Sequence, residues 1–162
     1  MAIQRYKLFA DYFQFVLMDE NCEDDFSSIW SEGALARMLA LGATSASVGT
    51  LRNVDVNVEL HVLQSEPTFQ IDGVDHAALG SFSVPSGQLV ILGCTDYKPT
   101  AARVTVQGGS HQVLATVTGV DTIKYESDPA DDLYSVYIWP GSPIEPRLLK
   151  HWKSGQEAAK RT

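Results

Sequence analysis

Residues 54–62 read Val-Asp-Val-Asn-Val-Glu-Leu-His-Val, in which apolar and polar side chains alternate along the whole stretch. Successive side chains of a β-strand point to opposite faces, so this pattern gives the strand one apolar and one polar face. Such a strand is typical of an antiparallel sheet that is covered on one side. Further segments are also predicted as strands: residues 6–18, 77–84, 88–94, 103–107, 112–118 and 133–139. The sequence therefore predicts a mainly β fold, an antiparallel two-sheet β-sandwich with one short α-helix.

The single predicted helix lies between Ser31 and Gly42. The hydroxyl of Ser31 can accept a hydrogen bond from an unpaired amide of the first turn. Leu35, Met38 and Leu39 follow at helical spacing, and Gly42 suits the left-handed residue that follows a last turn. We expect this helix to cover one end of the sandwich.

Two turns that contain glycine are predicted to join neighbouring strands. Pro-Ser-Gly at 85–87 separates the strand at 77–84 from the strand at 88–94, and Gly-Gly at 108–109 follows the strand at 103–107. Proline followed by glycine favours a tight turn, and a Gly-Gly pair favours a two-residue hairpin. Both turns are therefore expected to form hairpins.

Length and composition indicate one globular domain. The chain has 162 residues, of which 44% are hydrophobic, and both values fit a single domain with an ordinary core. We expect residues 1–152 to form that domain and residues 153–162 to form a polar C-terminal tail. Cys22 and Cys94 lack the spacing of a redox or metal motif, so both are expected to be reduced thiols. No apolar stretch is long enough for a signal peptide or a spanning helix, which favours a soluble, cytoplasmic protein.

Charge is distributed unevenly along the chain. The formal net charge is −8, but residues 8–146 contain 5 basic and 19 acidic residues, a net charge of −14. Such a body repels the phosphates of nucleic acid and attracts a basic protein. We therefore expect a basic protein as partner and no nucleic-acid or membrane partner. The alternative interpretation is that the acidity only keeps the protein soluble.

The acidic loops are the predicted contact surface for a basic partner. The predicted contact residues are Glu23, Asp24, Asp25, Asp96, Tyr97, Asp131 and Asp132. Loop carboxylates can instead bind calcium, which would require the loop of residues 19–25 to approach that of residues 128–132. The first loop lacks the central glycine and the final glutamate of a helix–loop–helix calcium site. No metal or other cofactor is predicted.

A second hypothesis is a small-molecule-binding or hydrolytic protein that uses Asp75 and His76 together with the segment Cys94-Thr95-Asp96-Tyr97. If the strands on either side of the turn at 85–87 pair, His76 approaches Cys94 or Asp96. A thiolate beside an imidazole is the arrangement that nucleophilic acyl transfer requires. The residues around Cys94 provide no glycine-rich oxyanion turn, and a cysteine that ends an apolar strand is commonly a small core residue. No catalytic residue is predicted.

The segment Tyr12-Phe13-Gln14-Phe15-Val16 resembles the opening strand of the competence protein J family, whose members are bacterial inhibitors of the DNA-entry nuclease. The likeness continues in order. Trp30 precedes a short helix that ends at Gly42, and alternating strands lead to Val84-Pro85-Ser86-Gly87. The resemblance implies a non-enzymatic β-protein, an inhibitor or immunity-type protein that binds a basic partner such as a nuclease or a toxin. The resemblance assigns no individual residue of this chain as an inhibitory contact.

The chain is also similar to uncharacterised bacterial proteins, and this similarity spans most of its length. It is carried by Asp75-His76, Gly93-Cys94-Thr95-Asp96-Tyr97, Trp139-Pro140-Gly141 and Pro146-Arg147-Leu148-Leu149-Lys150. This second similarity implies no activity.

Overall fold

The computed structural model describes residues 2–153. These residues contain eleven strands and one short α-helix. The elements in chain order are β1 (Ala2–Phe9), β2 (Gln14–Asp19), α1 (Glu32–Arg37), β3 (Leu39–Leu41), β4 (Ser45–Gly49), β5 (Asp55–Val62), β6 (His76–Val84), β7 (Gln88–Gly93), β8 (Ala102–Thr105), β9 (Gly109–Thr118), β10 (Leu133–Pro140) and β11 (Arg147–Lys150). The described helix is too short to cross a membrane. The predicted C-terminal tail lies, apart from Lys153, outside the described residues.

The strands form two sheets. One has six strands in the order β1-β5-β10-β9-β6-β11, and the other has five in the order β3-β4-β2-β7-β8. All described pairings are antiparallel except that of β10 with β5, which is parallel. The prediction of a two-sheet β-sandwich with one short helix is confirmed.

The main core lies between the two sheets. In β5, Val56, Val58 and Leu60 are buried and face the core, whereas Asp55 and Asn57 are exposed, as the alternation predicts. The other sheet contributes buried side chains from β2, β4 and β7 to the same cluster: Phe15, Leu17, Val48, Leu89 and Ile91. Burial of these apolar side chains, at about 25 cal/mol per Å², is the main force that holds the sheets together.

The opening segment is two strands rather than the predicted one. The chain breaks at Tyr12 and Phe13, which both have φ of 58°, so β1 joins the six-stranded sheet and β2 the five-stranded sheet. The helix is also shorter than predicted. It begins after Ser31, whose hydroxyl accepts from the Ala34 amide as expected, but it ends at Arg37. Met38 takes the left-handed position that the sequence assigns to Gly42, because the residues that follow it are buried as strand β3.

Neither predicted hairpin forms. The turn at 85–87 carries the chain from β6 in the six-stranded sheet to β7 in the five-stranded sheet, and residues 106–108 carry it back from β8 to β9. A local turn signal specifies that the chain reverses, but not which sheet receives the next strand. Strands β6 and β7 therefore do not pair, and the approach of His76 to Cys94 through a hairpin is absent.

Strand β2 runs between two different ends of the sandwich. Its Gln14 pairs with Gly49 at one end, and its Asp19 pairs with Leu89 at the other. A six-residue strand is roughly 20 Å long, so the two ends are separated by about that distance. The aromatic end consists of helix α1 and residues 10–13, 50–53, 94–97, 119–132 and 151–153. The acidic-loop end consists of residues 19–25, 42–44 and 85–87.

Candidate functional site

Two consecutive aromatic residues stand in a strained turn at the aromatic end. Tyr12 and Phe13 both adopt the left-handed backbone region, although their side chains are 71% and 47% exposed. For residues other than glycine, this conformation costs on the order of 1 kcal/mol each. The turn is held by the Phe13 amide, which donates to the Ala10 carbonyl at 3.0 Å, and by the Thr50 amide, which donates to the Phe13 carbonyl at 2.8 Å. Strain that the surrounding backbone maintains in an exposed aromatic pair is typical of a functional surface.

A pocket of about 350 Å³ lies beside this turn. Aromatic side chains dominate its lining, namely Tyr12, Phe13, Trp30 and Trp152, and Leu35 adds an exposed apolar side chain from helix α1. The indole Nε1 of Trp30 donates to Oε1 of Gln14 at 3.0 Å, which fixes the ring against the start of β2. The volume falls at the lower end of the range for ligand and side-chain pockets.

Residues 151–153, which we call the C-terminal strap, form one wall of the pocket. The rings of His151 and Trp152 stack with centroids 6.0 Å apart, and the Lys153 ammonium lies 5.7 Å from the Trp152 ring centroid. The Trp152 amide donates to Nδ1 of His76 at 3.3 Å. The strap is therefore anchored to β6 as well as to the preceding strand β11.

A buried ion pair ties together two loops of the aromatic end. The Arg52 guanidinium donates to both carboxylate oxygens of Asp132, at 3.1 and 2.6 Å, and also to the Asp128 carbonyl at 3.0 Å. The Tyr134 hydroxyl donates to Asp132 Oδ2 at 2.7 Å and accepts from the Leu51 amide at 3.0 Å. The hydrogen bonds with Asp132 raise the pKa of Arg52, and burial raises that of Tyr134. Both groups therefore keep their protons, and the network holds the turn at 50–53 beside the loop at 119–132.

Acidic side chains surround this end of the sandwich. The exposed carboxylates in its loops are Asp96, Asp121, Glu126, Asp128 and Asp131. Glu126 accepts from the Asn53 amide at 3.1 Å, and the Asn53 side chain in turn accepts from the Phe13 amide at 3.3 Å, so Glu126 borders the aromatic turn. The aromatic end thus combines exposed rings with negative charge.

The predicted contact residues are divided between the two ends. Asp96, Tyr97 and Asp131 are exposed at the aromatic end. Asp132 lies at the same end but is 1% exposed and paired with Arg52, so its carboxylate is unavailable to a partner. Asp132 therefore drops out of the predicted contact set.

The other three predicted residues lie at the acidic-loop end, where the chain itself uses two of the carboxylates. Asp24 accepts from the Thr44 amide at 3.0 Å and from the Ser45 hydroxyl at 2.6 Å. Burial alone would raise the pKa of Asp24, but these hydrogen bonds outweigh it, and its pKa is lowered. Asp25 accepts from the Ser27 hydroxyl at 2.7 Å, whereas Glu23 is exposed. The acidic loop is therefore in large part a structural feature.

The two acidic loops do not converge into a calcium site. The loop at 19–25 and the loop at 128–132 lie at opposite ends of the sandwich, because the first is bonded to the start of β4 and the second to Arg52 beyond its end. Among residues 2–153, no group of three or more histidine, cysteine, aspartate or glutamate side chains is placed to hold a metal ion.

The residues of the catalytic hypothesis have separate surroundings. Both ring nitrogens of His76 are engaged, Nε2 with the Arg37 carbonyl at 2.6 Å and Nδ1 with the strap. Cys94 is exposed at the surface, yet partial desolvation and the charges of Asp11 and Asp96 raise the pKa of its thiol. A nucleophilic cysteine needs the opposite shift, because the thiolate is the reactive form. The arrangement therefore gives no support to a cysteine–histidine pair.

The sequence interpretation missed the most exposed part of the site. It placed Tyr12 and Phe13 inside one strand, and it gave Trp30 and Trp152 no part in a site. The available signal was Asp11, a poor strand residue whose carboxylate accepts from the next amide, that of Tyr12, at 3.1 Å. An aspartate in an aromatic strand pattern indicates a turn that presents the rings.

Two solved structures share the fold of this chain. A crystal structure of ComJ from Bacillus subtilis, an inhibitor of the DNA degrading activity of NucA, has a TM-score of 0.64 over 87% of this chain and 96% of ComJ, with 15% sequence identity. This chain has the fold of ComJ. A structure described as crocagin biosynthetic gene J has a TM-score of 0.57 and 20% identity over 88% of this chain and 100% of that chain. No family model matches the sequence, and no curated protein matches it significantly. The resemblance to the competence protein J family is confirmed at the level of structure, and at these identities it establishes the fold.

Proposed function

We propose that this protein binds a basic protein, such as a nuclease, and inhibits it, acting as a cytoplasmic binding protein rather than as an enzyme. The observation that carries the proposal is the exposed pair Tyr12 and Phe13, presented by a strained turn beside an aromatic pocket. The likeness of the fold to that of ComJ, itself a nuclease inhibitor, supports the same class of function.

The chemistry of the aromatic end suits an inhibitor interface. Aromatic side chains that enter pockets of a partner supply most of the binding energy of many interfaces, and they lose little conformational freedom. The net charge of −14 in residues 8–146 accelerates the encounter with a basic protein and disfavours acidic competitors. Affinity would come from the rings, and association rate and selectivity from the carboxylates.

We place the centre of the contact at Tyr12 and Phe13, with Asp96, Tyr97 and Asp131 around it. Glu23, Asp24 and Asp25 lie at the far end of the sandwich and would act through the long-range field. Because that field is screened within about 10 Å at 0.1 M salt, their contribution would be small in physiological buffer.

The test begins with capture of partners from the native cytoplasm on the immobilised full chain at low salt, with identification by mass spectrometry. Each captured basic protein is then purified, and its affinity and its activity, including degradation of DNA, are measured with and without this protein. We expect inhibition that weakens as salt rises. Binding without inhibition, or affinity that is independent of salt, would overturn the proposal.

Surface variants locate the contact. The double variant Tyr12→Ser/Phe13→Ser removes both rings, and the loss of a central aromatic anchor costs about 2 kcal/mol or more, roughly 30-fold in affinity. The control is Ile3→Ser, because Ile3 on β1 is 42% exposed, similar to Phe13. An equal loss in both variants would place the contact elsewhere.

A further inference from the structure

His76 connects three separate elements beneath the pocket. Its ring is 1% exposed at the start of β6. Nε2 lies 2.6 Å from the carbonyl of Arg37, the last residue of helix α1. Nδ1 lies 3.3 Å from the amide of Trp152 in the C-terminal strap. Helix α1, through Leu35, and the strap both line the pocket, so one side chain contacts two of its walls.

The two contacts require one particular state of the imidazole. A carbonyl only accepts and an amide only donates, so Nε2 must carry the proton and Nδ1 must be bare. That state is the neutral Nε2–H tautomer. Protonation at Nδ1 would replace the acceptor of the Trp152 amide with a second donor, and the hydrogen bond that holds the strap would be lost.

The strap contains a second bond of the same kind. The Lys153 amide donates to Nδ1 of His151 at 3.0 Å, and the ring of His151 lies edge-on to that of His76 with centroids 5.5 Å apart. The strap conformation therefore depends on two imidazole nitrogens that accept hydrogen bonds. Positive charge on either ring also faces the other ring at close range.

The charged groups near His76 are bonded to other atoms, so they do not stabilise a positive charge on its ring. On its own strand segment, the Asp75 carboxylate accepts from the Val120 amide at 3.0 Å. On β11, the Lys150 ammonium donates to the Ile71 carbonyl at 3.4 Å. Helix α1 offers the backbone carbonyl of Arg37, and the paired residues of β9 are uncharged. Burial, and to a smaller degree the charge of His151, lowers the pKa of His76, whereas the bond to Arg37 acts in the opposite direction.

We propose that His76 is a positioning residue that latches the C-terminal strap to helix α1, so that the wall of the pocket is closed while the ring is neutral and opens when it is protonated. For its consequence in partner binding, this inference rests on the proposed function. Because burial lowers the pKa of His76 in the folded protein, the latch is complete at and above the ordinary histidine pKa, about 6.5, and is lost as the pH falls through the lowered folded value. Partner affinity would fall over the same range.

The deciding measurement uses the free full-length protein and needs no partner. Protection of the Trp152 amide against hydrogen exchange and the ¹⁵N shifts of the imidazoles are followed by NMR from about pH 7.5 downward until the shifts report protonation of His76, because its folded pKa lies below the ordinary value of about 6.5. We expect the neutral Nε2–H tautomer at the upper pH and a loss of Trp152 protection of about three- to tenfold as His76 is protonated, the effect of one hydrogen bond. The Nδ1–H tautomer, or unchanged protection after protonation, would overturn the latch.

Two variants separate the latch from general acid sensitivity. His76→Phe removes both hydrogen bonds and the titration, so Trp152 protection is expected to be low at every pH. His111→Phe is the control, because His111 is also 1% exposed and burial also lowers its pKa, but it lies at the acidic-loop end of β9. We expect this control to keep the wild-type pH response of Trp152, and the loss of that response would overturn the assignment to His76.

The two proposals fail in different ways. If Trp152 protection follows His76 protonation but no inhibited basic partner exists, the latch stands and the proposed function fails. If a partner binds with the same affinity before and after protonation of His76 while Trp152 stays protected, the function stands and the latch fails.

Discussion

The two ends of the sandwich are both rich in carboxylates, but they use them differently. At the acidic-loop end, Asp19 accepts from the Ser86 amide and hydroxyl at 2.9 and 2.7 Å, and Asp24 holds the start of β4. At the aromatic end, Asp132 is buried against Arg52, while exposed acids lie in the loops of the same end as Tyr12 and Phe13.

This difference teaches that acid density along the chain does not identify a contact surface. In the densest acidic segment, residues 19–25, several carboxylates accept hydrogen bonds that order the loops of this end. A carboxylate that already accepts internal bonds contributes to stability and gains less from a new partner. Two of the exposed acids at the aromatic end also accept an internal bond, Asp96 from the Gly93 amide at 2.8 Å and Glu126 from the Asn53 amide at 3.1 Å. Within residues 2–153, the exposed acids of that end that remain available are Asp121, Asp128 and Asp131.

The largest expected effect on stability tests Asp132, the buried acid of the aromatic end that pairs with Arg52. Asp132→Ala leaves the buried Arg52 guanidinium without its partner, and removal of one member of a buried pair costs about 3–5 kcal/mol of the free energy of unfolding. Urea denaturation at neutral pH measures it. Glu23→Ala, at an exposed site of the opposite end, is expected to change stability by no more than about 0.5 kcal/mol. Equal effects would remove the distinction between these two positions.

The next effect tests the structural use of the acidic loop. Asp24→Ala removes hydrogen bonds to Thr44 and Ser45 and is expected to cost about 1–2 kcal/mol at neutral pH. Because the pKa of Asp24 is lowered in the folded protein, its contribution is present above the ordinary aspartate pKa, about 3.9, and disappears as the pH falls through the folded value. Unfolding measured at neutral and strongly acidic pH should show a difference between variant and wild type that shrinks in acid. A difference independent of pH would contradict this role.

A smaller change in stability, an increase rather than a loss, tests the strained turn. Tyr12→Asn places a residue that tolerates the left-handed region at a position with φ of 58°, and we expect stability to rise by up to about 1 kcal/mol. Affinity for the partner should nevertheless fall, because a ring is lost. Thermal or urea unfolding, combined with a binding assay, checks both signs. A loss of stability would mean that the Tyr12 ring packs in its own fold more than its exposure indicates.

The smallest effect compares free charges at the two ends. Asp128→Asn/Asp131→Asn is expected to slow association with a basic partner several-fold at low salt, with little effect on dissociation. The matched double variant Glu20→Gln/Glu23→Gln should change the association rate less, and both differences should vanish at high salt. Stopped-flow or surface-binding kinetics at two salt concentrations measure this. A larger effect on the association rate from the variant at the acidic-loop end would place the partner at that end rather than at the aromatic end.

Local patterns were sufficient for most elements. The alternation in β5 and the serine cap of α1 depend on residues within a few positions of each other, and both appear in the structure as predicted. The likeness of the opening segment to the competence protein J family also pointed to the observed fold. The candidate site was harder to predict, because its residues come from the first turn, the helix and the C-terminal strap.

By itself, the sequence determined the sandwich class, the strands that alternate and the acidic character of the body, because each follows from composition or from periodicity along the chain. Only the tertiary structure decided which sheet each strand joins, which acids are free and which rings meet at one end. The physical reason is that these outcomes depend on distant pairs. Arg52 meets Asp132 across 80 positions, and the Trp152 amide meets His76 across 76. Such contacts form only when burial of the whole core brings them together.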